Sequence, residues 1–183
     1  MKHVLIISNI PAPYRSGQFA CLRSRFPKWR VSVLYTGKIE ADRVWETDEP
    51  EENTYFLQSK VLSVKGGEVG GTATRFVHLP KGLFKTLNAL KPDVVIAGEY
   101  NFSAVQALFW AKAHEIPFVN MTDGTLRSES YIGTVQKLTR RMIVSGADSF
   151  LASGTKAAEK LLHWGADEER IAIAYLTVDT APF

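Results

Sequence analysis

Short apolar runs recur along the chain, separated by longer segments with helical periodicity. A continuous apolar run of four or five residues, bounded by turn residues, is typical of a strand buried on both faces of a parallel sheet. The clearest run is Val4–Ile7, which ends before Asn9 and Pro11. The runs that predict strands are Val4–Ile7, Val94–Ala97, Pro117–Met121, Ser149–Ala152 and Ile171–Ala174. Alternating or short apolar patterns predict further strands at Trp29–Tyr35, Tyr55–Leu57, Val61–Leu62 and Arg75–Leu79.

Between these runs, apolar residues return every three or four positions, as on the buried face of a helix. The segments with this spacing are Ser16–Arg25, Gly82–Leu90, Ser103–His114, Tyr131–Val144 and Thr155–Trp164. Strands that alternate with helices of this length indicate βαβ units with right-handed crossovers. The pattern therefore predicts one α/β domain over 1–183, Rossmann-like and doubly wound, with a mostly parallel sheet and helices on both faces.

Composition excludes several other classes of protein. The chain has 183 residues, of which 45% are hydrophobic and 22% charged, as expected for about one globular domain and not for a disordered, collagen-like or coiled-coil protein. Cys21 is the only cysteine, so an intrachain disulfide and a cysteine-based zinc site are excluded. No apolar run of about eighteen residues and no signal peptide is present, which predicts a cytoplasmic location.

In an open α/β sheet, a ligand binds beyond the carboxyl ends of the strands, where the strand order reverses. If the first strand is central and the order is 3-2-1-4-5, the crevice opens between that strand and Val94–Ala97. Its walls are then Asn9–Gly17 and Gly98–Asn101, with Thr122–Arg127 beside them. These three segments carry the polar and aromatic groups available for chemistry.

The first of these segments lacks the Gly-x-Gly-x-x-Gly pattern of dinucleotide-binding proteins. Its two prolines make it stiff, Tyr14 offers a flat surface to a sugar or lipid, and Arg15 offers a forked donor to phosphate or carboxylate. An alternative is that Pro11 and Pro13 only shape the turn and Arg15 caps a surface. The expected ligand contacts here are Pro13, Tyr14, Arg15 and Gly17.

Two carboxylates follow predicted strands at the same edge of the sheet. Glu99 can accept hydroxyl hydrogen bonds or act as a base, although it could also serve as a favourable charge at a helix N-terminus. Asp123 precedes Gly124 in a turn signal, yet at this edge it also places a carboxylate over the crevice. Both are candidate catalytic residues. The neighbouring candidate ligand contacts are Tyr100, Asn101, Thr122, Gly124 and Thr125. No histidine flanks a nucleophile or a second ligand, so no metal is expected.

The order and spacing of several short motifs make the chain resemble the N-terminal half of a GT-B glycosyltransferase of the retaining family 4 type. GT-B enzymes consist of two Rossmann-like halves. The resemblance rests on Pro11–Arg15, Leu87–Ala97, Pro117–Phe118, Thr122–Thr125, Gly146–Gly154, Gly165–Asp167, and Val178–Asp179 with Phe183. The last of these is similar to the motif that leads into the interdomain linker of that family.

This resemblance implies the acceptor-binding domain of a nucleotide-sugar-dependent glycosyltransferase that acts on a glycan or a lipid-linked glycan precursor. The donor domain would lie in a continuation of the chain, which the ending favours, or in a separate chain. The half described by this sequence would be inactive alone and would hold no cofactor, metal or nucleic acid; the nucleotide sugar would be a substrate of the complete enzyme. Family members carry a glycine pair and a crevice histidine; here Gly17 is the only glycine of that loop, and Asp123 could fill the place of the histidine.

The basic residues Lys137, Arg140 and Arg141 resemble the helix with which some members of that family contact anionic lipid, which implies a peripheral contact with the inner face of a membrane. General surface charge is the alternative. Two other functions also remain open. One is half of a GT-B-like sugar-nucleotide epimerase, which would need no acceptor. The other is a non-catalytic Rossmann-like subunit that recruits a catalytic partner, in which case the reading frame would end at this domain.

Overall fold

A computed structural model of the chain describes residues 1–38, 52–65 and 74–177, and the side chains of Pro13, Tyr14, Val64, Lys65, Thr74 and Arg75 lie outside this description. Within these ranges the strands are β1 (Lys2–Ser8), β2 (Trp29–Tyr35), β3 (Thr54–Phe56), β4 (Ser59–Lys65), β5 (Thr74–Pro80), β6 (Val94–Gly98), β7 (Phe118–Thr122), β8 (Ser149–Ala152) and β9 (Ile171–Ile173). The helices are α1 (Pro13–Arg25), α2 (Leu83–Leu90), α3 (Phe102–Ala113), α4 (Thr134–Gly146) and α5 (Thr155–His163).

Seven of the described strands form one sheet in the order β3-β2-β1-β6-β7-β8-β9, and every neighbouring pair is parallel. β1 is therefore central, and the strand order reverses between β1 and β6, as predicted. Val4 pairs with Val31 on one side and with Val94 on the other. This arrangement confirms the predicted fold class and places the carboxyl ends of β1, β6 and β7 side by side.

The two faces of the sheet bury different hydrophobic clusters, because successive side chains of a strand point to opposite faces. Leu5 and Ile7 pack with residues of α2, α3, α4 and α5. Val4 and Ile6 pack with Phe19 of α1 on the other face. Helices thus cover both faces, and β1 is a continuous apolar run because neither of its faces meets solvent.

Helix α1 begins at Pro13, whereas the sequence pattern predicted a start at Ser16 and a loop before it. Proline is well suited to the first turn, where its missing N–H has no intrahelical partner in any case. The carbonyl of Ala12 accepts hydrogen bonds from the N–H groups of Arg15 and Ser16, at 2.8 and 3.0 Å. Arg15 and Gly17 therefore lie on the first turns of a helix.

Strands β4 and β5 form a separate antiparallel pair, so the predicted strand at Arg75–Leu79 does not extend the parallel sheet. Buried His78 of β5 lies against the end of β2, with Nδ1 3.2 Å from the Thr36 hydroxyl. A Cβ atom on Gly37 would come within 2.7 Å of the His78 ring, so only glycine fits there without displacing the ring. Among the described residues, no helix is long and apolar enough to cross a bilayer.

Candidate active site

Three chain segments meet at the carboxyl edge of the sheet. Asn9 follows β1, Glu99 follows β6, and Asp123 follows β7. The side-chain amide of Asn101 donates to Oδ1 of Asn9 at 3.0 Å and to the carbonyl of Gly98 at 3.2 Å, which joins the first two segments. The backbone N–H of Asp123 donates to Oε1 of Glu99 at 2.9 Å, which joins the second and third. The sheet edge thus brings together the segments that the sequence predicted to converge.

The backbone of Glu99 adopts a left-handed conformation, with φ of 60°. This region is uncommon for residues other than glycine, and such strain is found most often at functional sites, where surrounding contacts maintain it. Here the N–H of Glu99 donates to the carbonyl of Met121 at 2.8 Å, and the side-chain amide of Asn120 donates to the carbonyl of Glu99 at 2.9 Å. Both contacts come from β7, so that strand holds Glu99 in this conformation.

The carboxyl group of Glu99 is bonded at both oxygens. Oε1 accepts the N–H of Asp123, and Oε2 accepts the hydroxyl of Thr122 at 3.2 Å. Burial, then the charge of Asp123 and a hydrogen bond to its side chain, raises the pKa of Glu99 to about 7. The backbone N–H of Asp123 and the charge of Lys160 oppose this rise. Glu99 can therefore carry a proton near neutral pH.

Asp123 is the more accessible of the two carboxylates. Its side chain is 50% exposed, and Oδ2 lies 3.9 Å from Nη2 of Arg15, whose side chain is 15% exposed. Nη1 of Arg15 is 3.3 Å from the sulfur of Met121. Asp123 can thus contact a ligand in the crevice while Glu99 lies behind it, and Arg15 places a cation at the same rim.

A buried charged network lies beneath these carboxylates. The side chain of Lys160, from α5, is 0% exposed, and its Nζ donates to the Thr122 hydroxyl at 2.6 Å and lies 3.5 Å from Oε1 of Glu129. Arg140, from α4, pairs with the same Glu129 at 2.9 Å. Both cations also lie over the ring of Tyr100, with centroid distances of 4.6 Å for Lys160 and 4.8 Å for Arg140. Burial lowers the pKa of Lys160, although the charges of Glu99 and Glu129 oppose this.

The remaining predicted ligand contacts take different positions. Tyr100 is buried beneath the two cations, and burial raises the pKa of its hydroxyl. Asn101 caps α3, with its Oδ1 accepting the N–H of Ala104 at 2.8 Å. Both side chains therefore make internal contacts, and contact of either one with an acceptor stays a prediction. Thr125 forms a turn with Ser128, whose N–H donates to the Thr125 hydroxyl at 3.2 Å.

Two glycines of the predicted site differ in the space around them. A Cβ atom on Gly124 would lie 3.0 Å from Nζ of Lys160, whereas nothing lies within 4 Å of a Cβ atom built on Gly17. Gly124 therefore leaves room for the buried ammonium group, and Gly17 leaves an open face on α1. The side chains of Pro13 and Tyr14, also predicted to contact an acceptor, lie outside the described part of the chain.

The prediction of a basic face that includes Arg140 is wrong. The Arg140 side chain is only 11% exposed because it points inward to Glu129. Lys137 and Arg141 are exposed and line a cavity of about 360 Å³ together with Leu126, Glu129, Ser130, Ile132, His163 and Trp164. On the same helix, Val135 is 76% exposed and Leu138 is 58% exposed.

Sequence reasoning missed Lys160, Glu129 and Asn120. Lys160 left a signal, because it falls between Ala157 and Leu161 on the buried stripe of α5, where an apolar residue is expected. Asn120 left a similar signal as an amide in the middle of a buried strand. Glu129 left none, since its partners lie on two other elements, 11 and 31 residues further along the chain.

No family model matches the chain, and neither does any curated protein sequence. Several solved structures share its fold. A UDP-N-acetylglucosamine 2-epimerase from Rickettsia bellii superposes with a TM-score of 0.57 at 19% identity, over 96% of this chain and 45% of that one. For MnaA of S. aureus with UDP, the TM-score is 0.58 at 14% identity, over 94% of this chain and 43% of that one. For Anabaena HepE in complex with UDP-glucose, the TM-score is 0.63 at 11% identity, over 98% of this chain and 45% of that one.

These likenesses establish the fold. The chain is a Rossmann-like α/β unit that corresponds to half of a GT-B-like protein, and it spans less than half the length of each neighbour. The fold of a GT-B half, which the resemblance implied, is confirmed. The neighbouring structures do not show membership of glycosyltransferase family 4.

Proposed function

We propose that this chain is one half of a sugar-nucleotide epimerase that moves a proton at a sugar carbon of a UDP-sugar. The observation that carries the proposal is the placement of Glu99 and Asp123 together at the carboxyl edge of the sheet, where the backbone N–H of Asp123 donates to Oε1 of Glu99 at 2.9 Å. This reaction class was the alternative to a glycosyltransferase in the sequence analysis. The neighbouring structures support it, because one is named as a UDP-N-acetylglucosamine 2-epimerase and another is a co-structure with UDP.

Epimerisation requires a base that takes a proton from carbon and an acid that returns one to the opposite face. Two carboxyl groups in different environments can together take or return a proton at one face of the sugar, and in this proposal the group at the opposite face belongs to the complementary half. In the proposed reaction, the exposed Asp123 contacts the sugar and Glu99 behind it accepts or supplies the proton. The proton leaves the carbon next to the anomeric carbon, and the electron pair of that C–H bond forms a C=C bond as the bond from the anomeric carbon to UDP breaks. Re-addition of UDP with protonation from the opposite face restores both bonds, so no redox partner is needed.

The nucleotide in this proposal is held mainly by the complementary half of the GT-B-like protein, with Arg15 as a cation on this half near the sugar or phosphate. It is a substrate and not a resident cofactor. The expectations that this half is inactive alone and that the reaction needs no metal remain predictions. Among the described residues, no cluster of His, Cys, Asp or Glu has the arrangement of a metal site.

The decisive experiment uses the whole gene product, with UDP-glucose and UDP-N-acetylglucosamine as probes in D₂O. An epimerase incorporates deuterium at one sugar carbon without any acceptor, and proton NMR detects the exchange directly. E99Q and D123N should reduce the exchange by at least about a hundredfold, the usual contribution of an acid–base group. E159Q is the matched control, because Glu159 is exposed on α5 and pairs with Lys156. Absence of exchange in the wild-type protein would contradict the proposal.

A glycosyltransferase acceptor domain is the second candidate, as the motif resemblance implied. The exposed Val135 and Leu138, next to the cations Lys137 and Arg141, favour it, because this surface suits the lipid of a lipid-linked glycan acceptor or an anionic membrane. Sugar transfer that depends on such an acceptor, with no deuterium exchange, would support this function. A protein that shows neither activity would instead fit the non-catalytic subunit.

A further inference from the structure

Lys160 is the most unusual charged residue among those described. Its side chain is fully buried on the apolar stripe of α5, between Ala157 and Leu161. Lysine is almost never fully buried unless it is paired, because removing an ammonium group from water is costly. An apolar side chain of similar length would fill the same space, so packing alone does not explain the lysine.

The charges around Lys160 do not cancel locally. Glu129 lies 3.5 Å from Lys160 but also forms the shorter ion pair of 2.9 Å with Arg140. Two buried cations therefore share one nearby carboxylate, and a positive charge remains in excess. The next acidic group in that direction is Glu99, whose carboxyl is connected to Lys160 through Thr122.

The direction of the hydrogen bonds follows from the chemistry of the three groups. An ammonium group can only donate, so Nζ of Lys160 donates to the Thr122 hydroxyl at 2.6 Å. The hydroxyl oxygen is thereby an acceptor, and its single proton is directed to Oε2 of Glu99 at 3.2 Å. Gly124 contributes by leaving space, since a Cβ atom there would lie 3.0 Å from Nζ.

We propose that Lys160 is a positioning residue which, through the Thr122 hydroxyl, fixes the Glu99 carboxyl and directs its proton to the side that faces Asp123. The proposal deepens the proposed function and, for its role in catalysis, rests on it. With Oε2 occupied by Thr122 and Oε1 by the N–H of Asp123, the carboxyl cannot rotate without losing both bonds. The charge of Lys160 also limits how far burial raises the pKa of Glu99.

Other charged groups lie on the elements around this carboxyl. Asp123 lies at the end of β7, Arg15 on α1, Glu129 in the segment before α4, and Arg140 on α4. Of these, Asp123 raises the pKa of Glu99 directly, and its effect must be separated from that of Lys160. The test below therefore changes Lys160 and Thr122 but keeps Asp123.

The experiment follows the Glu99 carboxyl by carbon-13 NMR titration of the 183-residue chain. K160M and T122V should each raise the proton affinity of Glu99 about tenfold, because each removes a group that favours the ionised form. T122S keeps the hydroxyl and should leave the titration unchanged. K112M is the matched control, since Lys112 is an exposed lysine paired with Asp148 at 2.7 Å.

If Glu99 titrates in folded K160M and T122V as it does in the wild-type chain, the proposal is wrong. T122V decides the question if K160M does not fold, because it retains the buried ion pairs. The readout needs no substrate, so it is independent of the proposed function. If the variants alter the Glu99 titration but the wild-type protein exchanges no proton at a sugar carbon, the epimerase proposal is wrong and the positioning role of Lys160 stands. If exchange occurs but the variants leave the Glu99 titration unchanged, only the positioning role of Lys160 is wrong.

Discussion

The backbone N–H of Asp123 donates to Oε1 of Glu99 at 2.9 Å, while the Asp123 side chain adds negative charge next to the same carboxyl. The first contact favours the ionised form of Glu99 and the second favours the protonated form. Burial decides between them, and the pKa of Glu99 rises to about 7. The residue that follows β7 therefore affects both the orientation of the Glu99 carboxyl and its ionisation.

The first prediction concerns stability and pH. The pKa of Glu99 is raised from 4.5 to about 7 in the folded chain, so between these values the unfolded chain releases a proton that the folded chain keeps. The free energy of unfolding therefore falls as the pH rises from 4.5 to 7 and loses up to about 3 kcal/mol. E99Q should remove this dependence on pH, so the free energy of unfolding of E99Q should increase relative to that of the wild type as the pH rises from 4.5 to 7.

Urea denaturation at pH 4.5, 6 and 8 measures this effect, with E159Q as the control for an exposed glutamate. A difference between E99Q and wild type that is the same at all three pH values would show that Glu99 ionises normally.

The second prediction separates the two carboxyl groups. D123N removes the charge that raises the pKa of Glu99 but keeps the backbone N–H that lowers it. The carbon-13 titration of Glu99 should therefore move to lower pH, by about tenfold or more in proton affinity. An unchanged Glu99 titration in D123N would mean that the two groups do not interact.

The third prediction concerns the junction between the first two segments. Asn101 caps α3 through Oδ1 and holds Asn9 through its amide nitrogen. N101A should lose both functions, and loss of the cap alone costs about 1 kcal/mol. N101D keeps a capping oxygen, so thermal denaturation should show most of the stability restored, while the contact with Asn9 remains lost. Equal destabilisation by the two variants would contradict the capping role.

The fourth prediction concerns buried His3. Nδ1 lies 3.0 Å from the carbonyl of Leu90, which can only accept, so Nδ1 carries the proton and Nε2 faces the Ser32 hydroxyl at 2.8 Å. Burial, and then the charge of Arg30, lowers the pKa of His3 from 6.5. The unfolded chain therefore binds a proton below pH 6.5 before the folded chain does, and stability falls as the pH drops.

H3Q should remove that acid sensitivity below pH 6.5, although it costs stability at every pH through the lost hydrogen bonds. Urea denaturation of H3Q and wild type at pH 5, 6 and 7.5 measures both effects. H163Q is the control, because His163 is exposed near the end of α5. The same slope against pH in H3Q and wild type would contradict the assignment.

The elements that depend on local sequence pattern are those for which the predicted and observed bounds agree best. β2 and β8 have the predicted bounds, since alternation and turn residues define them within a few positions. The start of α1 was missed because proline at Pro13 can begin a helix as well as shape a loop. The pairing of β4 with β5 was also missed, because the direction of a strand depends on a partner distant in sequence.

Within the candidate site, sequence reasoning correctly located Glu99 and Asp123 at one edge of the sheet, because parallel strands end together. It failed for Arg140, which a helical pattern of basic residues places on the surface but Glu129 draws inward. An ion pair between residues of different elements leaves no periodic signal along the chain.

The amino-acid sequence determined the alternation of strands and helices and the edge at which the carboxylates gather, since each depends on local periodicity or on chain connectivity. Only the tertiary structure decided which ends of the elements touch. It buried Lys160 beneath Thr122, turned Arg140 inward and aligned the Glu99 carboxyl with Asp123. The physical reason is that ionisation and hydrogen-bond direction depend on distances of about 3 Å between residues far apart in the chain, which no local pattern encodes.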